Sequence, residues 1–404
     1  MQRAAPPRHE RIDTLRGIAV FGILTVNVWG LATGSLALRY GVLDAAAGDA
    51  DRIAIALVAA LAEVKFYPIF AFLFGAGFAL QMRALTRSAG GLAQAKWFYR
   101  RRLKWLLGCG LLHGFLLWYG DILNSYALGG YWLLSTAGKR LRVLRRWFLI
   151  ALALNMGMML VGVVAVLVIG EPSVADINEV LHDAERARVV FAQGGFAVAA
   201  WARAKAFGMN LFNLPFFMPE LATLFLGGVF AVRLGWLTRP WRHRRFWRTV
   251  QLLGIGIGLP FDLWWAGVAV AEAESPLSMN VRAAVGHGLL TVGGTLLAAG
   301  YVATVMLAGA RTSRWLGALF APVGRMALSN YLLQSVLGVT LLQGVGLGWA
   351  GTLSRPGLLA WCGAVMLLQL ALSRWWLSFN AQGPMEAIWR RYTYRASASQ
   401  QGSH

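Results

Sequence analysis

The sequence predicts an all-α polytopic membrane helix bundle of about ten transmembrane helices, with both termini cytoplasmic. Three observations predict it. Of 404 residues, 58% are apolar and only 14% are charged. Apolar runs of about 18 residues or more recur along the chain, which is the signature of membrane spans. The basic residues behind the net charge of +21 gather in every second gap between those runs, the positive-inside pattern. Because these cations sit in gaps rather than along one soluble face, the reading is membrane lipid as partner and no nucleic acid.

The runs place helices near 15–33, 62–82, 104–119, 122–137, 147–169, 206–232, 250–270, 284–309, 327–346 and 357–378. The first follows a basic leader and is long enough to be an uncleaved span rather than a signal peptide. About 29 of the 38 basic residues fall on one side of this arrangement, among them Arg3, Arg8, Arg11 and Arg16, the run from Arg83 to Lys104, and Arg374 to Arg395. The opposite gaps carry Asp44, Asp49, Asp51, Glu171, Asp176, Glu179, Asp183, Glu185, Glu272 and Glu274. The basic face is therefore assigned to the cytoplasm. The organisation expected is one domain over 1–395, with helical halves at 15–170 and 206–380. An outer segment at 171–205 joins them, and a disordered tail occupies 396–404. Within the outer segment Ile177, Val180, Leu181, Ala184 and Ala187 recur at helical spacing. They predict a short amphipathic helix that either caps an outward vestibule or simply reverses the chain.

Polar residues inside the spans carry the functional reading, because charge at that depth is costly. His113 lies nine residues past Lys104, about 13 Å along a helix and near the bilayer centre. It is either a neutral hydrogen-bonded tie or a general base working near pH 7. Asp121 follows eight residues later. Continuous helix would separate the two by about 12 Å, so a direct bond requires an unwound turn near Gly120. His113 and Asp121 are the catalytic candidates, with Asn124 beside them. Asn27 in the first span is either a helix tie or a substrate contact. Glu63 and Lys65 open the second span; they pair with each other or with neighbours, or Lys65 snorkels. Glu220 follows Pro219 in a span that Pro215 also interrupts, which suggests a cavity lining. Asp262 and His287 are second-tier partners or bundle ties. Asn330 and Gln334, four apart, share a face that is either a polar pathway or interhelical glue.

Cys109 and Cys362 lie inside apolar runs without metal-ligand spacing and read as small buried side chains. No Gly-rich phosphate loop, zinc motif or GxSxG elbow is present, and the many glycines within apolar runs read as sites of close helix packing.

Residues 11–27, RIDTLRGIAVFGILTVN, resemble the opening of the YeiB-like family of bacterial membrane proteins. They also resemble the first span of the wider transmembrane acyltransferase superfamily, which includes the enzyme that acetylates the terminal glucosamine of heparan sulfate. KFYPIFAFLFGAGFAL at 65–80, RRLKWLLGCGLLHGFLLWYGDIL at 101–123, GRMALSNYLLQS at 324–335 and GPMEAIWRRYTY at 383–394 fit the YeiB-like pattern in the same order.

The resemblance implies a bacterial inner-membrane acyltransferase that uses acyl coenzyme A as a co-substrate and holds no cofactor permanently. It implies substrate contact for Asn27 and a substrate-orienting role near Glu63. Residues 28–62 contain no histidine, a departure from the heparan-acetylating enzyme, whose base lies in that region. The expected scheme puts acyl coenzyme A at the cytoplasmic face, with Arg16 and Arg325 toward its phosphates or toward anionic lipid. A sugar, glycolipid or lipid-headgroup acceptor enters from the acidic side. His113 acts as base, with Asn27 and Asn330 holding the thioester carbonyl or the acceptor. A homodimer is one assembly consistent with this. The competing readings are a transporter or flippase without covalent chemistry and a structural partner for envelope enzymes.

Overall fold

The computed structural model describes residues 10–34, 39–43, 47–88, 90–170, 173–275 and 281–394. The tail at 396–404 lies outside them, as do Arg3, Arg8, Asp44, Glu171 and Arg395. Every regular element among the described residues is helical. In chain order these are α1 (Glu10–Thr33), α2 (Asp49–Leu61), α3 (Phe66–Ser88), α4 (Leu92–Leu116), α5 (Leu123–Leu133), α6 (Leu141–Ile169), α7 (Val174–Gln193) and α8 (Phe196–Arg233). There follow α9 (Arg244–Leu253), α10 (Leu259–Glu274), α11 (Val281–Leu307), α12 (Ala310–Arg325), α13 (Ala327–Leu337), α14 (Arg355–Phe379) and α15 (Pro384–Tyr394).

Among the described residues seven stretches are long and apolar enough to cross a membrane: Glu10–Thr33, Asp49–Ser88, Leu141–Val168, Phe196–Arg233, Pro240–Glu274, Val285–Leu307 and Arg355–Phe379. The architecture is that of a multi-pass membrane protein. The other three expected spans, at 104–119, 122–137 and 327–346, correspond to α4, α5 and α13. The 11 residues of α5 reach only about 16 Å, and Ala327–Leu342, α13 with its continuation, about 24 Å, both short of a hydrocarbon core of about 30 Å. The first half of α4 is crowded with Lys96, Arg100, Arg101, Arg102 and Lys104.

Close helix packing rests on glycine where two backbones meet. α1 lies against α12 at Gly17 and Gly324, and a Cβ at either would overlap the facing backbone at Phe320 or Asp13. α3 lies against α8 in the same way at Gly75 and Gly228. Small residues at the crossing are the membrane solution to helix association, since lipid gives no hydrophobic drive.

The basic gaps converge at one end of the bundle. Arg11 donates to the carbonyls of Met306 and Ala308 at the end of α11, the latter at 2.9 Å. Arg233 donates to Lys139 O at 2.6 Å, Arg374 to Ala318 O at 2.9 Å and Arg325 to Ala381 O at 3.2 Å. Arg101 donates to Tyr392 O at 2.7 Å, and the Arg102 guanidinium lies 4.5 Å from the Trp389 ring centroid, so both clamp α15 onto α4. Much of this basic face thus holds helix ends together. At the other end Arg52 pairs with Glu274 at 2.6 Å and Leu43 N donates to Ala273 O at 2.7 Å.

α7 is the expected amphipathic helix. Ile177 and Phe191 are buried, while Val180, Leu181, Ala184 and Ala187 are half-buried. Ser173 caps it: its hydroxyl accepts from Asp176 N at 3.2 Å and Asp176 accepts from Ser173 N at 2.9 Å, a capping box. A cavity of about 430 Å³ opens beneath, lined by Leu181, Glu185 and Arg188 of α7 together with Trp29, Tyr40 and Arg355.

Candidate functional site

α4 ends at Leu116, and its last carbonyls are satisfied by the turn that follows and by α8. His113 O accepts from both Leu117 N at 2.9 Å and Trp118 N at 2.8 Å. Leu116 O accepts from Arg203 of α8 at 2.7 Å. Beyond this, Asn210 of α8 donates to Tyr119 O at 2.8 Å, and Tyr119 donates to Gly30 O of α1 at 3.3 Å. The non-helical backbone from 117 to 122 is thus hydrogen-bonded within protein, the condition under which irregular backbone survives at membrane depth. Gly110 gives it room, since a Cβ there would lie 2.5 Å from Asn124 N and 2.9 Å from Asp121 Oδ2.

This turn folds Asp121 back beside His113. His113 Nδ1 and Asp121 Oδ1 are 2.8 Å apart. Asp121 Oδ2 also accepts from Asn124 N at 2.9 Å and Asn124 Nδ2 at 3.1 Å. Three N–H groups therefore converge on one carboxylate, and the imidazole proton is held on Nδ1. That leaves Nε2 as an acceptor, and it faces the Ser335 hydroxyl of α13 at 2.8 Å. The ring of Tyr331, one turn before Ser335, packs on the imidazole with centroids 5.0 Å apart. His113 is 2% exposed and Ser335 3%. The order Asp121, His113, Ser335 is that of a carboxylate, an oriented imidazole and a hydroxyl.

Asn330 and Gln334 do not join this group. Asn330 Nδ2 donates to Ser373 Oγ of α14 at 2.9 Å, and Gln334 Nε2 donates to Gln369 Oε1 at 2.9 Å and to Val20 O of α1 at 3.2 Å. Gln369 returns a bond to Asn330 O at 2.8 Å. One residue is about 100° around a helix, so 330 and 334 face α1 and α14 while 331 and 335 face α4. The Asn330 amide is thus hydrogen-bonded between α13 and α14. Asn27 is half-buried on α1 and is not a member of the His113 network. Glu220 accepts a hydrogen bond from Tyr67, whose carbonyl accepts from Tyr126 at 3.0 Å. Arg16 pairs with Asp13 at 3.0 Å, and Arg325 reaches the α14–α15 connection.

Glu63 and Lys65 belong to a second polar cluster at the break between α2 and α3. Val64 there has φ +58°, a left-handed conformation that a β-branched residue rarely adopts. Gly294 of α11 leaves the space it needs. The break sends its two charges to different partners. Glu63 pairs with Arg39 at 3.1 Å and accepts from Tyr40 at 2.7 Å and Trp265 at 3.0 Å. Lys65 pairs with Asp262 at 3.0 Å and donates to Ala59 O at 2.9 Å. Both members of the Lys65–Asp262 pair are 0% exposed, so Lys65 does not snorkel, and Asp262 has the ion pair without a well-aligned hydrogen bond. His287 stacks on Trp265 at 4.3 Å between centroids. Asp262 and His287 therefore support this cluster and not His113. Tyr40 links it to the cavity under α7, which neither His113 nor Ser335 lines. Among the described residues, packed neighbours that include Asp121, Ser335 and Tyr331 enclose the imidazole.

Sequence reasoning missed Ser335, Tyr331 and Arg203. Ser335 stood inside a quoted motif, but nothing in its spacing links it to a histidine 222 residues away. Arg203 is fully buried, and beside Lys205 at the start of an apolar run it reads as an ordinary flanking cation.

The fold and site define a polytopic helical membrane protein with a buried carboxylate–imidazole–hydroxyl relay. Residues 231–396 match the family described as protein of unknown function (DUF418). The chain is similar to the uncharacterized protein YeiB of Escherichia coli (strain K12), 29% identical over 96% of this chain and 97% of that protein. It is also similar to the uncharacterized protein YxaH of Bacillus subtilis (strain 168), 28% identical over 95% of this chain and 93% of that protein. These likenesses support a YeiB-like family. No solved structure matches the chain.

Proposed function

We propose that the chain is an acyltransferase of the bacterial inner membrane, moving an acyl group from acyl coenzyme A to a sugar, glycolipid or lipid-headgroup acceptor. The single observation that carries this reading is the His113 imidazole. Asp121 orients it through Nδ1, and its Nε2 accepts from a hydroxyl at 2.8 Å. A buried neutral imidazole in that tautomer is what general-base catalysis on a hydroxyl acceptor requires. In this scheme the basic end faces the cytoplasm, and the donor approaches from that end. Acceptor enters from the acidic end through the cavity under α7. Access to His113 then requires α4 and α13 to part, and these helices meet through side chains more than through close backbone contact.

The test is binding and turnover of acyl coenzyme A by the purified full chain. Binding, release of the coenzyme A thiol with an acceptor present, and loss of release in His113→Ala with binding retained support the reading. Failure to bind or consume acyl coenzyme A rejects it. A transporter or flippase remains the second reading, favoured by the strained α2–α3 break and the sealed Lys65–Asp262 pair, features suited to alternating access.

A further inference from the structure

We infer that Ser335 is a nucleophile, so that the acyl group is carried covalently by the protein between donor and acceptor. The inference rests on the acyl-transfer reading for its donor, but its geometry stands independently. Ser335 Oγ is 2.8 Å from His113 Nε2, and His113 Nδ1 is 2.8 Å from Asp121 Oδ1. A hydroxyl with no partner outside its helix is satisfied by a backbone carbonyl of that helix, as Thr340 is by Val336 O at 2.8 Å. Ser335 instead faces the one ring nitrogen that can take its proton. The hydroxyl, the ring and the carboxylate come from α13, α4 and the turn after α4, so the fold assembles a nucleophile, a base and an orienting group.

The same helix face offers a fourth group. Tyr331 is one turn before Ser335, and its hydroxyl is buried without a well-formed hydrogen bond among the described residues, although the Ile122 backbone lies near it. A buried donor left unsatisfied is costly. A negative oxygen developing beside Ser335 would satisfy it, which is the role of an oxyanion donor.

The chemistry balances without a redox partner. In the first half, His113 Nε2 takes the Ser335 proton and Oγ attacks the thioester carbonyl carbon. The carbon–sulfur bond breaks, and the proton passes from Nε2 to the departing coenzyme A sulfur. The product is an acyl ester on Ser335. In the second half, Nε2 takes the acceptor's hydroxyl proton and the acceptor oxygen attacks the acyl carbon. The bond to Oγ breaks, and Ser335 recovers its proton from Nε2. Asp121 does not change protonation in either half; it is a positioning residue.

The experiment uses the full chain in detergent with two reagents. A fluorophosphonate probe reads serine nucleophilicity without any acyl donor. Radiolabelled acetyl coenzyme A without acceptor reads the acyl-enzyme. Mass spectrometry of the Ser335 peptide locates either adduct. The expected result is stoichiometric label at Ser335, none in Ser335→Ala, and a labelling rate at least about 10²-fold lower in His113→Ala. Ser335→Cys guards against misfolding: it should elute as the native chain does and form a thioester adduct cleaved by neutral hydroxylamine. Fluorophosphonate label at Ser335 without use of acetyl coenzyme A would uphold the nucleophile and reject the donor. Acyl transfer by a folded Ser335→Ala at the native rate would overturn the inference and leave the acyltransferase reading standing. Absence of label at Ser335 from both reagents in natively eluting protein would also overturn it.

Discussion

His113 Nδ1 and Asp121 Oδ1 stand 2.8 Å apart, although eight residues of unbroken helix would hold them about 12 Å apart. The turn from 117 to 122 closes that gap, and Arg203, Asn210 and Asn124 hold the turn. The orientation of the imidazole is therefore a property of the helix end, and substitutions at that end should act on the base without touching it.

Asp121→Asn is the first such case. An amide in place of the carboxylate can accept from Nδ1 only by losing its bond geometry to Asn124, and it stabilises an imidazolium poorly. Transfer should fall by about 10²- to 10⁴-fold with acyl coenzyme A binding little changed. Steady-state kinetics beside a binding isotherm separate the two effects.

Gly110→Ala tests the packing that admits the turn. Its Cβ would press on Asn124 N and Asp121 Oδ2. The chain should still fold, since α4 gains a better helix former, but turnover should drop at least about tenfold as the carboxylate is displaced. Native turnover in Gly110→Ala would show that the turn has slack.

Asn330→Ala and Gln334→Ala should behave oppositely. Each strands buried partners on α14, at a cost of about 1–3 kcal/mol, visible as a lower melting temperature in detergent. Protein that remains folded should keep most of its turnover. A large kinetic defect at unchanged stability would restore these residues to the substrate path.

Lys65→Met should be severe, because it leaves Asp262 charged and sealed. Breaking one partner of a buried pair costs about 3–5 kcal/mol. The double variant Lys65→Met with Asp262→Leu should recover much of that loss. Thermal unfolding of the two single variants and the double variant decides it.

Docking of α15 should depend on pH through Glu386, which accepts from Leu328 N at 2.9 Å and Ser329 N at 3.2 Å at the start of α13. Burial pushes this carboxyl above the usual range, more than these bonds lower it. The folded state therefore keeps its proton to higher pH than the unfolded chain does. The stabilisation is fully present below the ordinary carboxylate range and is lost as pH rises through the raised value. Between about pH 4 and pH 7, hydrogen-exchange protection across α15, taken relative to the intrinsic exchange rate at each pH, should fall in the native chain and stay constant in Glu386→Gln.

What the sequence could reveal followed from local patterning. The apolar runs located seven long helices, the 3.6-residue recurrence located α7, and helix rise alone showed that His113 and Asp121 could meet only through an unwound turn. The facing of α13 was not legible, because a helix with polar groups at 330, 331, 334 and 335 has two polar stripes. Only the neighbours decide which stripe meets α4. Nor was the split at Glu63 and Lys65, since a left-handed Val64 follows from what packs around it, Gly294 above all, and leaves no trace in local propensity. Of the other three expected spans, α5 and α13 are shorter than a bilayer, and α4 is long enough but carries Lys and Arg through its first half.

The most direct test of the central claim is single-turnover acyl transfer from acyl coenzyme A by the native chain and by His113→Gln, which keeps a hydrogen-bonding side chain of similar length. The account predicts that His113→Gln binds the donor normally and transfers at least about 10²-fold more slowly. Equal transfer rates in the two proteins would contradict it.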